Sequence, residues 1–469
     1  MVRRGTHLEI LAILARMRPR CHPESADARW QNADRLLACF SRMQIGNGPM
    51  ANFLQNVPRL ASVLAIGWAC AAPAQAAPDA RLKAAAEQEQ QALIDTLHDM
   101  VMIESGSSDV AGLARMADLT EGRLKALGFK TERRKTTAGA GADIVVGTLD
   151  GTGTRKLMLI GHMDTVYQTG ILATQPYRVD GNRIYGPGIA DDKGGLAVVL
   201  HALKILKDSG WRDYARLTVM FNPDEEVGSG GSGDIIAEAA DQHDVVLSCE
   251  PTLAGRAGSP DSVLLGASGT TTVTMEVKGR ASHAGVAPDL GRNALIELAH
   301  QLLQTRDVAK SIPGVQLNWT VAQAGTVRNQ IPDKATASGD VRLTASDGAE
   351  KLRAALEDKV NSSKLVPDTE TSIRIAKGRP PFVGGEASRA LAKRAQDIYA
   401  ELDRPLTIVE MTGGGTDAGF ASRGGKATVL ESLGLAGFGY HARDEFIVTD
   451  SIVPRLYLMS RLLIELGKS

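Results

Sequence analysis

Hydrophobic positions change their period several times along the chain, and each change marks an element. Residues 80–104, rich in Ala, Leu, Gln and Glu, predict one helix, and residues 110–127 predict a second, closed by Gly128. Residues 143–148 and 156–161 predict strands. The second of these, Lys156-Leu-Met-Leu-Ile-Gly161, is an uninterrupted apolar run, the pattern of a strand covered by helices on both faces. Residues 193–209 predict an amphipathic helix with Leu196, Val199, Leu200, Leu203 and Leu206 along one stripe. Apolar runs at 216–221, 244–248 and 427–430 complete a set of core strands. Strands alternating with helices predict an α/β sheet.

The period changes again between residues 268 and 378. Residues 270–277 alternate, with Val273, Met275 and Val277 on one face, and 293–306 predict a helix. Strands at 315–322 and 335–343, a helix at 347–360 and a strand at 372–376 follow. The order is βαββαβ, a ferredoxin-like α+β unit inserted into the α/β domain. Its outer strands offer edges for pairing with a second copy, which predicts a homodimer. The α/β pattern resumes from Pro380. The expected organisation is a leader over 1–76, a first catalytic part over 77–267, an inserted dimerisation or lid domain over 268–378, and a second catalytic part over 379–469.

The first 76 residues differ from the rest. Residues 1–49 show no convincing elements, and translation is expected to begin at Met50 or Met43. From Met50 the pattern is secretory: Arg59 gives a basic flank, residues 60–72 an apolar core and Ala74-Gln-Ala76 a small-residue cleavage site, so the mature chain would start at Ala77. The apolar core is too short to span a bilayer comfortably, so no stable membrane anchor is expected. Export to a bacterial periplasm follows. Of the 4 cysteines, Cys249 alone lies beyond the leader and reads as a packed thiol. The formal net charge is −1 and aromatics make up 4%, which gives no basis for a nucleic-acid partner.

Chemistry gathers just past the apolar runs. His162 and Asp164 follow the strand ending near Ile160; Glu225 and Glu226 follow Phe221; Glu250 follows Cys249; Asp191 precedes a helix; His441 closes a glycine-rich run. Singly, each is an ordinary loop or capping residue. Together they are a carboxylate and imidazole set without thiolate, and ligands in open α/β sheets gather at the carboxyl ends of strands. The set predicts two Zn²⁺ per chain, with Co²⁺ or Mn²⁺ as alternatives. Asp191 is the candidate bridge, His162 and Glu250 hold one metal, and Glu226 and His441 hold the other. Glu225 is left over to act as general base. Asp164 is expected to orient His162 through its far nitrogen.

Seven stretches carry a resemblance: Gly161-His-Met-Asp-Thr-Val166, Tyr185-Gly-Pro-Gly-Ile-Ala-Asp-Asp-Lys-Gly-Gly195, Asn222-Pro-Asp-Glu-Glu226, Cys249-Glu-Pro-Thr252, Ala281-Ser-His-Ala-Gly285, Thr412-Gly-Gly-Gly-Thr-Asp417 and Ser432-Leu-Gly-Leu-Ala-Gly-Phe-Gly-Tyr-His441. They resemble the dinuclear zinc carboxypeptidases and aminoacylases, most closely the glutamate carboxypeptidase (carboxypeptidase G) branch, from residue 77 to the end. The resemblance implies a zinc-exopeptidase-like catalytic domain, the ligand roles above and a non-proline cis peptide after Asp191. It implies that His283 reaches the partner subunit's site and steadies an oxyanion. It also implies that Asn329 and Arg379 hold a substrate carboxylate, with Arg342 either sharing that task or structural, and that Thr412, Gly413, Gly414 and Gly415 wrap the substrate. The glutamate-specific relatives carry a lysine shortly after the equivalent of Glu250, whereas here residues 253–262 hold Arg256 as their one cation.

The expected activity is hydrolysis of an amide next to a free C-terminal carboxylate. It would release glutamate or a similar amino acid from small-molecule peptides, N-acyl amino acids or folate-like compounds. An N-acyl amino acid deacylase of the desuccinylase or deacetylase type is the alternative, and a non-catalytic periplasmic binding protein a second alternative.

Overall fold

In the computed structural model, residues 77–138, 141–253 and 261–468 are described. The secretory leader expected over 50–76 and the segment around Arg256 lie outside them. Helices Ala80–Val101 and Val110–Ala126 open the chain. Asp79 caps the first, its carboxylate accepting the N–H groups of Arg81 and Leu82 at 3.0 Å.

Six strands form the main sheet in the order Lys130–Lys135, Asp143–Asp150, Arg216–Asn222, Lys156–His162, Val245–Ser248, Thr428–Leu430. The last four are mutually parallel, and Asp143–Asp150 runs antiparallel to both of its neighbours. The apolar run at 156–161 has the predicted double burial. Leu157 and Leu159 face a core shared with helices Ala80–Val101, Lys193–Asp208 and Ile452–Lys468. Met158 and Ile160 face a second core shared with helix Gly233–Ala240 and Phe420. Each such buried aliphatic side chain stabilises the fold by roughly 1.5–3 kcal/mol. The edge strand Lys130–Lys135, Lys-Thr-Glu-Arg-Arg-Lys, has no apolar alternation to announce it. It forms because residues 143–150 offer it an open ladder; Lys130, Glu132 and Lys135 are exposed, while Arg133 pairs with Glu121 and Asp118 of the preceding helix.

Residues 269–375 build a separate four-stranded antiparallel sheet in the order Val315–Ala324, Lys334–Leu343, Gly269–Lys278, Glu370–Ile375. With helices Ala294–Thr305 and Gly348–Ser362 this is the βαββαβ arrangement, packed on its own cores around Val273, Val341 and Leu352, and around Met275, Val277 and Leu298. Among the described residues no helix is long and apolar enough to cross a membrane.

The C-terminal helix braces the sheet edge through Arg455, which is fully buried. Its guanidinium donates to the carbonyls of Ser432 at 3.1 Å and Ser262 at 2.9 Å, and lies 3.9 Å from the Asp261 carboxylate. Removing one partner of a buried charged network leaves the others unpaired. Arg455→Met is expected to lower unfolding stability by about 3–5 kcal/mol, read as a fall in the urea midpoint at unchanged slope.

Candidate active site

The four parallel strands run the same way, so their carboxyl ends open on one edge of the sheet. His162 is the last residue of its strand and the register partner of Asn222. A single helical turn at Glu225–Val227 follows the neighbouring strand, and Glu250 lies two residues past Ser248. Asp191 sits just ahead of helix Lys193–Asp208, which approaches the sheet so closely that a Cβ at Gly195 would lie 2.0 Å from the Cys249 carbonyl. His441 enters from the loop after strand Ala436–Phe438, with φ of 63°. The Asp191–Asp192 peptide is cis.

These side chains converge on Asp191. One carboxylate oxygen lies 3.0 Å from His162 Nε2, and the other 3.4 Å from His441 Nε2. Glu250 approaches His162 Nε2 at 3.8 Å, and Glu226 approaches His441 Nε2 at 3.1 Å. The result is two groups of three donors, His162–Asp191–Glu250 and Asp191–Glu226–His441, each with donor atoms within 4.8 Å of one another. Asp164 is fully buried behind them. Its carbonyl and carboxylate face His162 Nδ1 at 3.0 and 3.3 Å. The carboxylate also accepts the N–H groups of Glu225 and Glu226 at 3.0 and 3.1 Å and the Ser107 hydroxyl at 2.7 Å. One side chain therefore fixes three of the candidates at once.

The electrostatics are those of crowded acids. Burial opposes charging of the His162 ring, yet its contacts with Asp164, Asp191 and Glu250 hold its pKa well above the usual value. Hydrogen bonds to Asp191 and Glu226 push His441 up to about 10. Burial raises Asp191, but the two imidazoles overcome it and hold the carboxyl below its usual range. Burial pushes Glu226 and Glu250 up, and takes Glu225 up to about 8 against the lowering pull of Arg379. Carboxylates strained in this way, with more acid than the two imidazoles can neutralise, fit divalent cations, and the oxygen and nitrogen donors fit zinc, cobalt or manganese. Cys249 takes no part: it is free, buried, and pushed up well above a reactive range by burial.

The cluster lies in a cleft of about 760 Å³. Glu225, Arg379, Thr412, Gly414 and Gly415 line it, while Gly413 lines a neighbouring cavity and its carbonyl faces Arg342 at 3.4 Å. Arg342 lines both spaces. Arg379 is buried, with its guanidinium against Glu225 at the wall of the cleft. Among the described residues, His283 and Asn329 do not line the cleft of their own chain. They lie together on the inserted unit, where strand Ser282–His283 pairs with Gln330–Ile331 and Ala284 N–H donates to the Asn329 carbonyl at 2.9 Å. The exposed His283 ring accepts the N–H groups of Gly285 and Val286 at Nδ1, both at 3.1 Å, which puts its own proton on Nε2.

Three further buried acids support the site: Asp192 and Asp417 lie within the stretches that carry the resemblance but were given no role there, and Glu445 lies outside them. Glu445 accepts the N–H groups of Gly188, Ala190 and Asp191 at 2.8–3.0 Å and the Tyr167 hydroxyl at 2.7 Å. Asp192 accepts His162 N–H at 3.2 Å. Asp417 accepts from Asn222 at 2.8 Å and from the Ser229 hydroxyl. Glu445 stands in the charged run Ala442-Arg-Asp-Glu445, which reads as solvated loop, and nothing local reveals that its carboxylate turns inward. Asp417 had a weak signal, standing directly before an apolar helical turn, Ala418–Ser422.

Relatives share this architecture and much of the sequence. The pattern of peptidase family M20/M25/M40 matches residues 158–465. Carboxypeptidase G2 of a Pseudomonas species is 44% identical over 87% of this chain and 97% of its own length. A succinyl-diaminopimelate desuccinylase of Xanthomonas oryzae is 28% identical over 80% of this chain and 99% of its own. Among solved structures, a tripeptidase from Staphylococcus aureus superposes with a TM-score of 0.66 at 19% identity, covering 81% of this chain and 99% of that one. An M20 family metallo-carboxypeptidase from Sulfolobus solfataricus superposes at 0.64 with 18% identity, covering 80% and 99%. With the pattern spanning well over half the chain and a relative at 44% identity, the chain belongs to peptidase family M20/M25/M40.

Proposed function

We propose that this chain is a metal-dependent carboxypeptidase that hydrolyses an amide next to a free carboxylate, releasing glutamate or a similar amino acid. Peptides, N-acyl amino acids and folate-like compounds are the substrate class. The observation that carries this is Asp191 shared between two donor groups at the wall of the cleft, with Glu225 beside them. The 44% identity to a carboxypeptidase supports it. The proposed complement is two Zn²⁺ per chain, with Co²⁺ or Mn²⁺ as alternatives, held by His162, Asp191 and Glu250 and by Asp191, Glu226 and His441. When bound, the metals lower the pKa of a water and polarise the substrate carbonyl.

The chain's own residues do the rest. Glu225 takes the proton of the attacking water and passes it to the leaving nitrogen as the C–N bond breaks. Asp164 keeps His162 in register. Thr412, Gly413, Gly414 and Gly415 supply backbone groups to the substrate. His283 and Asn329 act on the site of a second copy, which makes the homodimer part of the proposal. Leu295, Ile296 and Leu303 on helix Ala294–Thr305, and Val321 on the edge strand Val315–Ala324, are exposed apolar side chains on the inserted unit that such pairing could cover. Export to the periplasm rests on the leader pattern alone.

A deacylase acting on N-succinyl or N-acetyl amino acids is the second reading, favoured by the likeness to a desuccinylase along 80% of the chain. A panel separates the two: purify the protein from Ala77, count metal per chain, and compare N-acyl-glutamates, folates and other N-acyl amino acids. Cleavage that requires a free carboxylate on the released amino acid is expected, and a preference set only by the acyl group would favour the deacylase. Glu225→Gln should lower kcat by about 10²–10⁴-fold while metal content stays near that of the parent, because it removes a proton carrier and no donor atom. Asp191→Asn should lose metal from both sites, whereas Glu250→Ala should empty only one; atomic emission on dialysed protein distinguishes them.

A further inference from the structure

Arg379 stands at the second of the two chain crossings between the inserted unit and the α/β part, and Thr270 stands at the first. The two residues pair through their backbones: Thr270 N–H donates to the Arg379 carbonyl at 3.0 Å, and Arg379 N–H donates to the Thr270 carbonyl at 2.9 Å. The crossings are thus tied to each other by one residue pair.

The Arg379 side chain turns into the α/β part and is 5% exposed. One guanidinium nitrogen contacts the Glu225 carboxylate at 2.5 Å. The other donates to the Glu225 carbonyl at 2.5 Å and to the Ser229 hydroxyl at 3.2 Å, and lies 3.9 Å from the Asp417 carboxylate. Asp417 is itself fixed by Asn222, the residue that ends the strand before the Glu225 turn. The guanidinium therefore holds Glu225 through an ion-pair contact at its carboxylate and a hydrogen bond at its backbone carbonyl.

A substrate carboxylate competing for the two nitrogens that hold Glu225 would leave that buried acid without its cation, which is costly. We propose that Arg379 is a positioning residue: it holds Glu225 in its reacting pose, ties that pose to the crossing between the two units, and does not read the substrate's free carboxylate. The role rests on Glu225 being the general base, as proposed above.

The test is Arg379→Lys, with Arg379→Gln beside it, in full-length zinc-loaded protein. Lysine keeps the charge and loses the fork. Initial rates are measured on an N-acyl-glutamate and on its α-carboxamide. Positioning predicts that kcat falls about 10- to 100-fold on both substrates, a part of what a general base supplies. KM, metal per chain and the carboxylate-to-carboxamide preference should stay as in the parent. The double variant Glu225→Gln, Arg379→Lys should be no slower than Glu225→Gln alone, because the two residues act as one unit. A raised KM with retained kcat, or a lost preference for the carboxylate, would overturn the role and return Arg379 to substrate binding. Parental kcat in Arg379→Lys would overturn it as well. Activity that survives Glu225→Gln would instead sink the base assignment and this role with it, so the two failures are told apart.

Discussion

The site depends on one carboxylate gripped from both sides. Asp191 meets His162 through one oxygen and His441 through the other, and each histidine brings a second acid, Glu250 or Glu226. Burying several acids together is unfavourable unless positive charge is supplied. Two imidazoles supply part of it, and the donor set is shaped for divalent cations to supply the rest. Everything around Asp191 serves to hold that unfavourable arrangement in place.

The holding is done mostly by backbone. Loops that leave a sheet edge carry N–H groups that the ladder no longer pairs, and these need acceptors. Asp164 receives two from the Glu225 turn, Glu445 receives three from the loop bearing Asp191, and Asp224 receives those of Gly231 and Ser232. Each buried acid answers an unmet donor and in doing so stiffens the loop that presents a functional side chain. The same economy explains Arg379, whose fork satisfies a carbonyl and an acid at the foot of the inserted unit. It also explains why residues with no contact to a substrate are buried as deeply as the donors themselves.

Much of this was legible along the chain. The uninterrupted run at 156–161 announced a strand buried on both faces, and Val273, Met275 and Val277 announced the inserted sheet. Those periods come from the geometry of a strand, so they survive into the structure almost unchanged. The charged strand Lys130–Lys135 was not legible, because its pairing comes from a neighbour's open edge and not from its own pattern.

The sequence by itself determined which residues stand at the ends of the core strands, and so that His162, Glu225, Glu226 and Glu250 share one edge of the sheet. Spacing relative to an apolar run is local information, and burial of the run leaves its exit only one place to go. Tertiary structure alone decided which way the remaining side chains turn. Glu445 reads as solvated loop, yet it faces inward because three N–H groups from a segment more than 250 residues earlier await an acceptor there. Arg379 reads as a cation free to meet substrate, yet it is committed to Glu225, 154 positions away. Such pairings join segments far apart in sequence, and no local pattern encodes them.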